Sequence, residues 1–133
     1  MKPAQASSTA KVIAASTILL ASEDRSPEMV PPDAAGLCEI FLSGNTTDRL
    51  LAKSARNPWS RRLWRGLERM TLPGIVRHYA RRKRWIESHC RTAIADGCGK
   101  IVILGAGFDT LGMRLSREFA SLEVIEMDHP ATQ

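Results

Sequence analysis

Cysteine is scarce in this chain of 133 residues. Cys38, Cys90 and Cys98 are odd in number and far apart, and no Cys-x-x-Cys pair occurs. That argues against both a zinc site and a disulfide framework. It suits a reducing compartment, the cytoplasm. Long apolar runs are missing too. The most apolar stretch, Lys11 to Ala21, is too short to span a membrane, so no membrane partner is expected. With Lys2 and Lys11 it has the outline of a signal peptide. Ser16 and Thr17 interrupt it, however, and Val12, Ala15, Leu19 and Leu20 lie near helical spacing. It therefore reads as an amphipathic helix of the domain. His78 and His89 stand eleven residues apart with no second ligand at metal spacing, and no metal is expected. There is no internal repeat and no obvious catalytic dyad. What remains, 44% hydrophobic and 25% charged, suits one soluble globular domain.

The charge is uneven. Arg56 to Arg91 carries eleven Lys or Arg against Glu68 and Glu87, a formal +9, while the whole chain carries +5. Trp59, Trp64, Tyr79 and Trp85 interleave with this block. Such a mix can bind nucleic acid through phosphates and stacking. The spacing of Trp59 with Leu63 and Leu67 favours a plainer reading. In it the basic residues are the solvated face of two amphipathic helices with the tryptophans in the core, and no nucleic acid is expected.

The chain is organised around Lys100 to Asp128. Ile101 to Leu104 is a short apolar run between glycines, which suggests a strand buried on both faces. Gly105-Ala106-Gly107 turns the chain, and Asp109 or Thr110 can cap the next helix. Leu111, Leu115 and Phe119 give that helix one apolar face. Leu122, Val124, Ile125 and Met127 make a second strand with Asp128 at its end. Strand, turn, helix and strand make a βαβ unit, whose ligands bind beyond the carboxyl ends of the strands. Gly105 and Gly107 leave the backbone open to a ligand. Asp128 follows Gly107 by 21 residues, close to the spacing at which an acid meets ribose hydroxyls. The plainer alternative is a βαβ unit whose glycines serve only the turn. A dinucleotide fingerprint wants a third glycine where Thr110 stands, so a ligand without phosphate, such as S-adenosylmethionine, is better supported than a pyrophosphate.

Leu104-Gly105-Ala106-Gly107-Phe108-Asp109-Thr110, followed by Val124-Ile125-Glu126-Met127-Asp128-His129-Pro130, resembles the leucine carboxyl methyltransferase family. It looks most like that family's bacterial branch of S-adenosylmethionine-dependent methyltransferases. Tyr79 to Glu87, YARRKRWIE, also resembles the family's arginine motif, an Arg-x-Arg pair ahead of an acidic residue. The resemblance implies S-adenosyl-L-methionine as cofactor. It implies Gly105, Gly107, Asp109 and Asp128 as residues that hold it. It implies Arg82, with Arg84 and Arg81 as fallbacks, as the partner of the methionyl carboxylate. Asp109 can serve as helix cap, cofactor contact or both. His129 can line the adenine pocket or simply serve the turn. The implied reaction is O- or carboxyl-methylation of a small-molecule or peptide acceptor, with catalytic residues unassigned. A carboxylate acceptor is ionised at pH 7 and needs no general base. Two other classes stay open, a nicotinamide-dependent oxidoreductase and a non-enzymatic basic helical module for nucleic acid or a partner protein.

Ahead of the βαβ unit the chain reads as helical. Met1 to Ala10 is expected to fray, and Ser22 to Pro32 is a charged connection. Asp33 can cap a helix from Ala34 to Leu42 with Leu37, Ile40 and Phe41 inward. Thr47 can cap the next, with Leu50 and Leu51 buried. Asn57-Pro58 starts a helix whose apolar stripe is Trp59, Leu63, Leu67 and Met70. After Pro73-Gly74 a long helix runs from Ile75 to Ala95, with Ile86, Cys90 and Ile94 on one face, and Asp96-Gly97 ends it. The expected fold is α/β. Residues 1–99 form an N-terminal helical region, a lid or cap. Residues 100–133 form the first βαβ unit of a Rossmann-like class I methyltransferase sheet, truncated where the family's sheet continues. Two strands are few for an independent sheet, and an open edge invites self-association.

Overall fold

A computed structural model describes residues 7–23 and 28–128 of the protein. The readings of the first six residues and of His129 and Pro130 lie outside the described residues, as does the middle of the connection after Ala21. The elements run α1 (Ser8–Ala21), α2 (Ala34–Phe41), α3 (Thr46–Arg56), α4 (Pro58–Thr71), α5 (Ile75–Ala95), β1 (Lys100–Leu104), α6 (Leu111–Glu118) and β2 (Glu123–Met127).

The apolar run near the start forms the centre of the helical part. Ala14, Ala15, Ile18, Leu19 and Leu20 of α1 are at most 2% exposed, and α1 packs on α2, α3 and α5. The helix is therefore buried around most of its girth rather than amphipathic. Its hydroxyls are satisfied within the helix, Ser16 donating to the Val12 carbonyl at 2.8 Å and Thr17 to Ile13 at 3.2 Å. Each fully buried Leu or Ile here contributes about 1.5–3 kcal/mol. Cys38, Leu42, Ala55, Val76 and Ala80 complete this core.

A second core lies under the sheet. Leu111, Leu115 and Leu122 are buried, with Ile86, Cys90, Ile94, Ile101, Ile103, Phe119 and Val124 packed against them. The two strands pair in parallel, Lys100 opposite Glu123 and Leu104 opposite Met127. The architecture is thus a helix-rich α/β arrangement of six helices and two parallel strands among the described residues. Among the described residues, only one face of the sheet is covered. Val102, Leu104, Ile125 and Met127 are 51%, 74%, 37% and 54% exposed. The expectation of a strand buried on both faces is thereby corrected, since α5 and α6 lie on the same side.

α5 is the long element that reaches both cores, with Val76 and Ala80 in the first and Ile86, Cys90 and Ile94 against the second. Its C-terminus closes with Gly97 at φ +97°. The Gly97 amide donates to Ile94 at 3.0 Å and the Cys98 amide to Ala93 at 2.9 Å. Asn57 caps α4 by accepting from the Trp59 amide at 2.9 Å, with Pro58 in the first turn. Two other caps differ from expectation. Asn45, not Thr47, caps α3 and accepts from the Asp48 amide at 2.9 Å. Asp33 precedes α2 with φ 64° and makes no side-chain cap.

Three faces also differ. Ile40 and Leu50 are 64% and 60% exposed. The stripe of α4 points outward, with Trp59 and Met70 78% and 87% exposed. The opposite face of α4 holds the body instead. Trp64 packs on the first core, Arg61 donates to the Ser22 carbonyl, Arg65 pairs with Glu23 at 2.6 Å, and Glu68 accepts from the Val76 amide at 3.1 Å. Trp85 is also exposed, so of the three tryptophans Trp64 alone joins the core.

Candidate functional site

The site begins where β1 ends. Gly105 and Gly107 adopt φ +65° and +58°, the left-handed region that glycine enters without steric cost. The Gly105 amide donates to the Met127 carbonyl at 2.7 Å, which extends the ladder by one step. The Gly107 amide donates to the Asp128 carboxylate. The two residues that sequence spacing paired are thus in direct contact. Asp128 closes the glycine loop from the end of the neighbouring strand.

Asp109 works in two directions. Its Oδ1 accepts from the Leu111 amide at 2.9 Å, which caps α6. Its Oδ2 lies 3.1 Å from Lys83 Nζ on α5. Thr110 supplies no side-chain cap, so of the two expected candidates Asp109 does this work. Arg82 is exposed, and among the described residues no carboxylate pairs with it. Arg84 lies 3.7 Å from Glu87.

A cavity of about 460 Å³ lies between α5, the N-terminal turn of α1 and the glycine loop. Arg82, Gly105, Gly107, Asp109 and Asp128 all line it, with Tyr79 and Lys83 beside them. Its volume falls in the range of small-molecule sites. A cation stands on one wall and carboxylates on another. A second hollow of about 280 Å³ shares Ala106, Gly107, Phe108 and Asp128 with the first and adds Phe41, Met113 and Glu126. Phe41 stacks on Phe108 with centroids 5.4 Å apart. A larger open groove, about 1010 Å³, runs past Trp59, Arg62, Arg65, Arg69 and Arg77. It shares no residue with the glycine loop, and its arginines outnumber the two carboxylates beside them, Glu23 and Glu68, which both pair with Arg65. The loop cavity has the convergent polar groups that a ligand site needs.

Several neighbours of this site escaped the sequence. Glu126 lies two positions before Asp128 on β2 and accepts from the Gly112 amide. Burial first, then the charge of Asp109, pushes its carboxyl above the usual range, partly offset by that amide. A Cβ on Gly112 would collide with the Glu126 carboxylate and stand 3.0 Å from Val124 Cγ1, so the glycine lets the strand carboxylate reach the helix. The signal was the alternation of a strand, which puts residues 126 and 128 on one face. Lys83 and Glu87 were also missed, although opposite charges four apart on a helix share a face. Glu87 is 2% exposed. Burial alone would raise its pKa, but Arg114 and then Arg91 outweigh that and hold it below the ordinary range. Among the described residues, no group of three or more His, Cys, Asp or Glu is placed to hold a metal. None of the described helices is long and apolar enough to cross a membrane.

The model of the leucine carboxyl methyltransferase family matches residues 14–133. No curated protein matches the chain, and no solved structure does.

Proposed function

This chain belongs to the leucine carboxyl methyltransferase family, and from that premise we propose that its glycine-loop cavity is an S-adenosylmethionine site serving methyl transfer to a carboxylate or hydroxyl. Methyltransferases of this family depend on that cofactor, and neither the oxidoreductase nor the nucleic-acid module is favoured by the match. The observation that carries the reading is convergence. Five residues spread from position 82 to 128 line one cavity, and four of them flank the same turn.

The residues present suit the cofactor. Arg82 brings a guanidinium that no carboxylate pairs with among the described residues to a wall where the methionyl carboxylate would sit. Asp128 holds the loop closed and offers a carboxylate to ribose hydroxyls. Gly105 and Gly107 keep the backbone bare of side chains at the turn. Asp109 fixes the start of α6 and neutralises Lys83, which leaves Arg82 as the cation facing the ligand. When bound, the cofactor supplies an activated methyl group. The chain's own part is to bind and orient, which is how proximity lowers a displacement barrier. We read the two strands as the first pair of a Rossmann-like sheet, residues 1–99 as a helical cap over it, and the cytoplasm as the setting. The acceptor we assign only by class, a small molecule or peptide bearing a carboxylate or hydroxyl.

Titration calorimetry of the chain with S-adenosylmethionine, NAD and a short oligonucleotide tests this. Binding of the first alone is the expected result. Asp128→Ala should weaken that binding by about 1.5–3 kcal/mol, the range for hydrogen bonds to a charged group. Arg82→Ala should weaken it more than Arg81→Ala. Binding of NAD instead, or an affinity indifferent to Asp128, would overturn the assignment.

A further inference from the structure

Three ion pairs of alternating polarity join α5 to the segment that carries the glycine loop. Lys83 Nζ stands 3.1 Å from Asp109 Oδ2. One turn further along α5, Glu87 accepts both guanidinium nitrogens of Arg114, at 2.8 and 2.9 Å. A turn beyond that, Arg91 pairs with Glu118 at 2.6 Å from a more exposed position, so along α5 the charges run plus, minus, plus, and along the loop and α6 they run minus, plus, minus. A slip of α5 by one turn, about 5.4 Å, would set Glu87 against Asp109 or Lys83 against Arg114. Either arrangement opposes like charges. Glu87 is 2% exposed and Arg114 has 12% of its side chain exposed, so water screens this pair weakly. Alternating charge of this kind specifies register, the best-attested use of a buried ion pair.

Arg114 extends the connection into the loop itself. Its Nε donates to Thr110 Oγ1 at 3.2 Å, and Thr110 is 4% exposed. Neither Glu87 nor Arg114 lines the glycine-loop cavity, whereas Arg82, next to Lys83, does. Arg91 also reaches Glu87 at 3.1 Å, from the more exposed side of the network.

We propose that Glu87 and Arg114 are positioning residues for the cofactor site, fixing the helical register in which Arg82 meets the glycine loop. The proposal rests on the reading of that cavity as an S-adenosylmethionine site. Its consequence is selective. A ligand that spans Arg82 and the loop depends on the register, while one that touches the loop alone does not. S-adenosylmethionine carries the amino-acid carboxylate for Arg82. Methylthioadenosine has the same nucleoside and lacks that carboxylate.

The test titrates the chain and its variants with both compounds. Glu87→Gln should cost S-adenosylmethionine about tenfold or more in affinity, as the loss of a charge-assisted contact does, while methylthioadenosine binds nearly as before. Arg114→Lys keeps the charge but cannot hold Glu87 through two nitrogens and Thr110 through a third. It should show the same selectivity, and it decides the question if Glu87→Gln does not fold. Lys100→Ala, which removes an exposed ion pair between the two strands and touches none of the α5 pairs, should bind both ligands as the parent does. Equal losses for the two compounds, or no loss for either, would overturn the positioning role. If the unaltered chain binds neither compound, the reading of the cavity itself has failed and the positioning role falls with it.

Discussion

Gly107 stands at φ +58°, and a Cβ built on it would meet Ala10 Cβ at 3.6 Å and Asp128 Oδ2 at 3.7 Å. Those are ordinary contacts, so a substitution here is opposed by the backbone rather than by a clash. Gly107→Val should therefore lower the melting midpoint more than Gly107→Asn, because Asn tolerates the left-handed region and a β-branched residue does not. Equal midpoints would remove the conformational argument for this glycine. Glu87 gives a second prediction at this scale. Arg114 and Arg91 hold its folded pKa below its unfolded one despite burial. The stability it contributes is complete above the unfolded value, about 4.3, and is lost as pH falls through the folded value. Glu118, lowered chiefly by Arg91, adds to the same trend from an exposed position. Glu126, raised chiefly by burial, runs the other way and gains on acidification. Thermal melts from pH 6 to 3 should show a falling midpoint, and Glu87→Gln should flatten the fall. An unchanged slope would mean that Glu87 is not the group titrating.

Among the elements, those with strong local punctuation were legible in the sequence. The bounds of α5 follow from Pro73-Gly74 at one end and Asp96-Gly97 at the other, and its register from Ile86, Cys90 and Ile94. The strands and the turn between β1 and α6 were legible for the same reason. A helical stripe, by contrast, says which residues share a face and nothing about what covers it. In α4 the apolar face lost the competition for the body. Arg61, Arg65 and Glu68 had backbone and charge partners in Ser22, Glu23 and Val76, and Trp64 filled the gap between them. The expected cap of α3 failed through local rivalry. Asn45 both accepts from the Asp48 amide and donates to its carboxylate at 2.9 Å, a reciprocal arrangement that Thr47 does not match. That Gly105, Gly107, Asp109 and Asp128 lie side by side was legible because the glycine turn and the strand end are local features, whereas Arg82, on α5, was reached only through the motif it resembles. Lys83, Glu87 and Arg114 were not, since their roles exist only once α5 lies against α6.

At the scale of the whole molecule, the open face of the sheet is an unfinished surface, as is the outward stripe of α4. Val102, Leu104, Ile125 and Met127 leave one face of the sheet apolar and exposed, on a pair of strands whose edges can recruit another chain. Light scattering should show association that rises with concentration. Val102→Lys with Ile125→Lys should suppress it. A monomer at every concentration would show that this face is inert. The span of α5 across both cores has a different consequence, for the order in which the fold comes apart. A helix whose two halves are anchored in different clusters cannot lose either cluster without exposing amides of its own. Cooperative unfolding units are usually contiguous pieces of structure, and here the shared piece is the longest helix. Backbone hydrogen–deuterium exchange should find its slowest amides in α5. If the clusters open separately, protection will step down within that helix between Ala80 and Ile86, where one anchor gives way to the other.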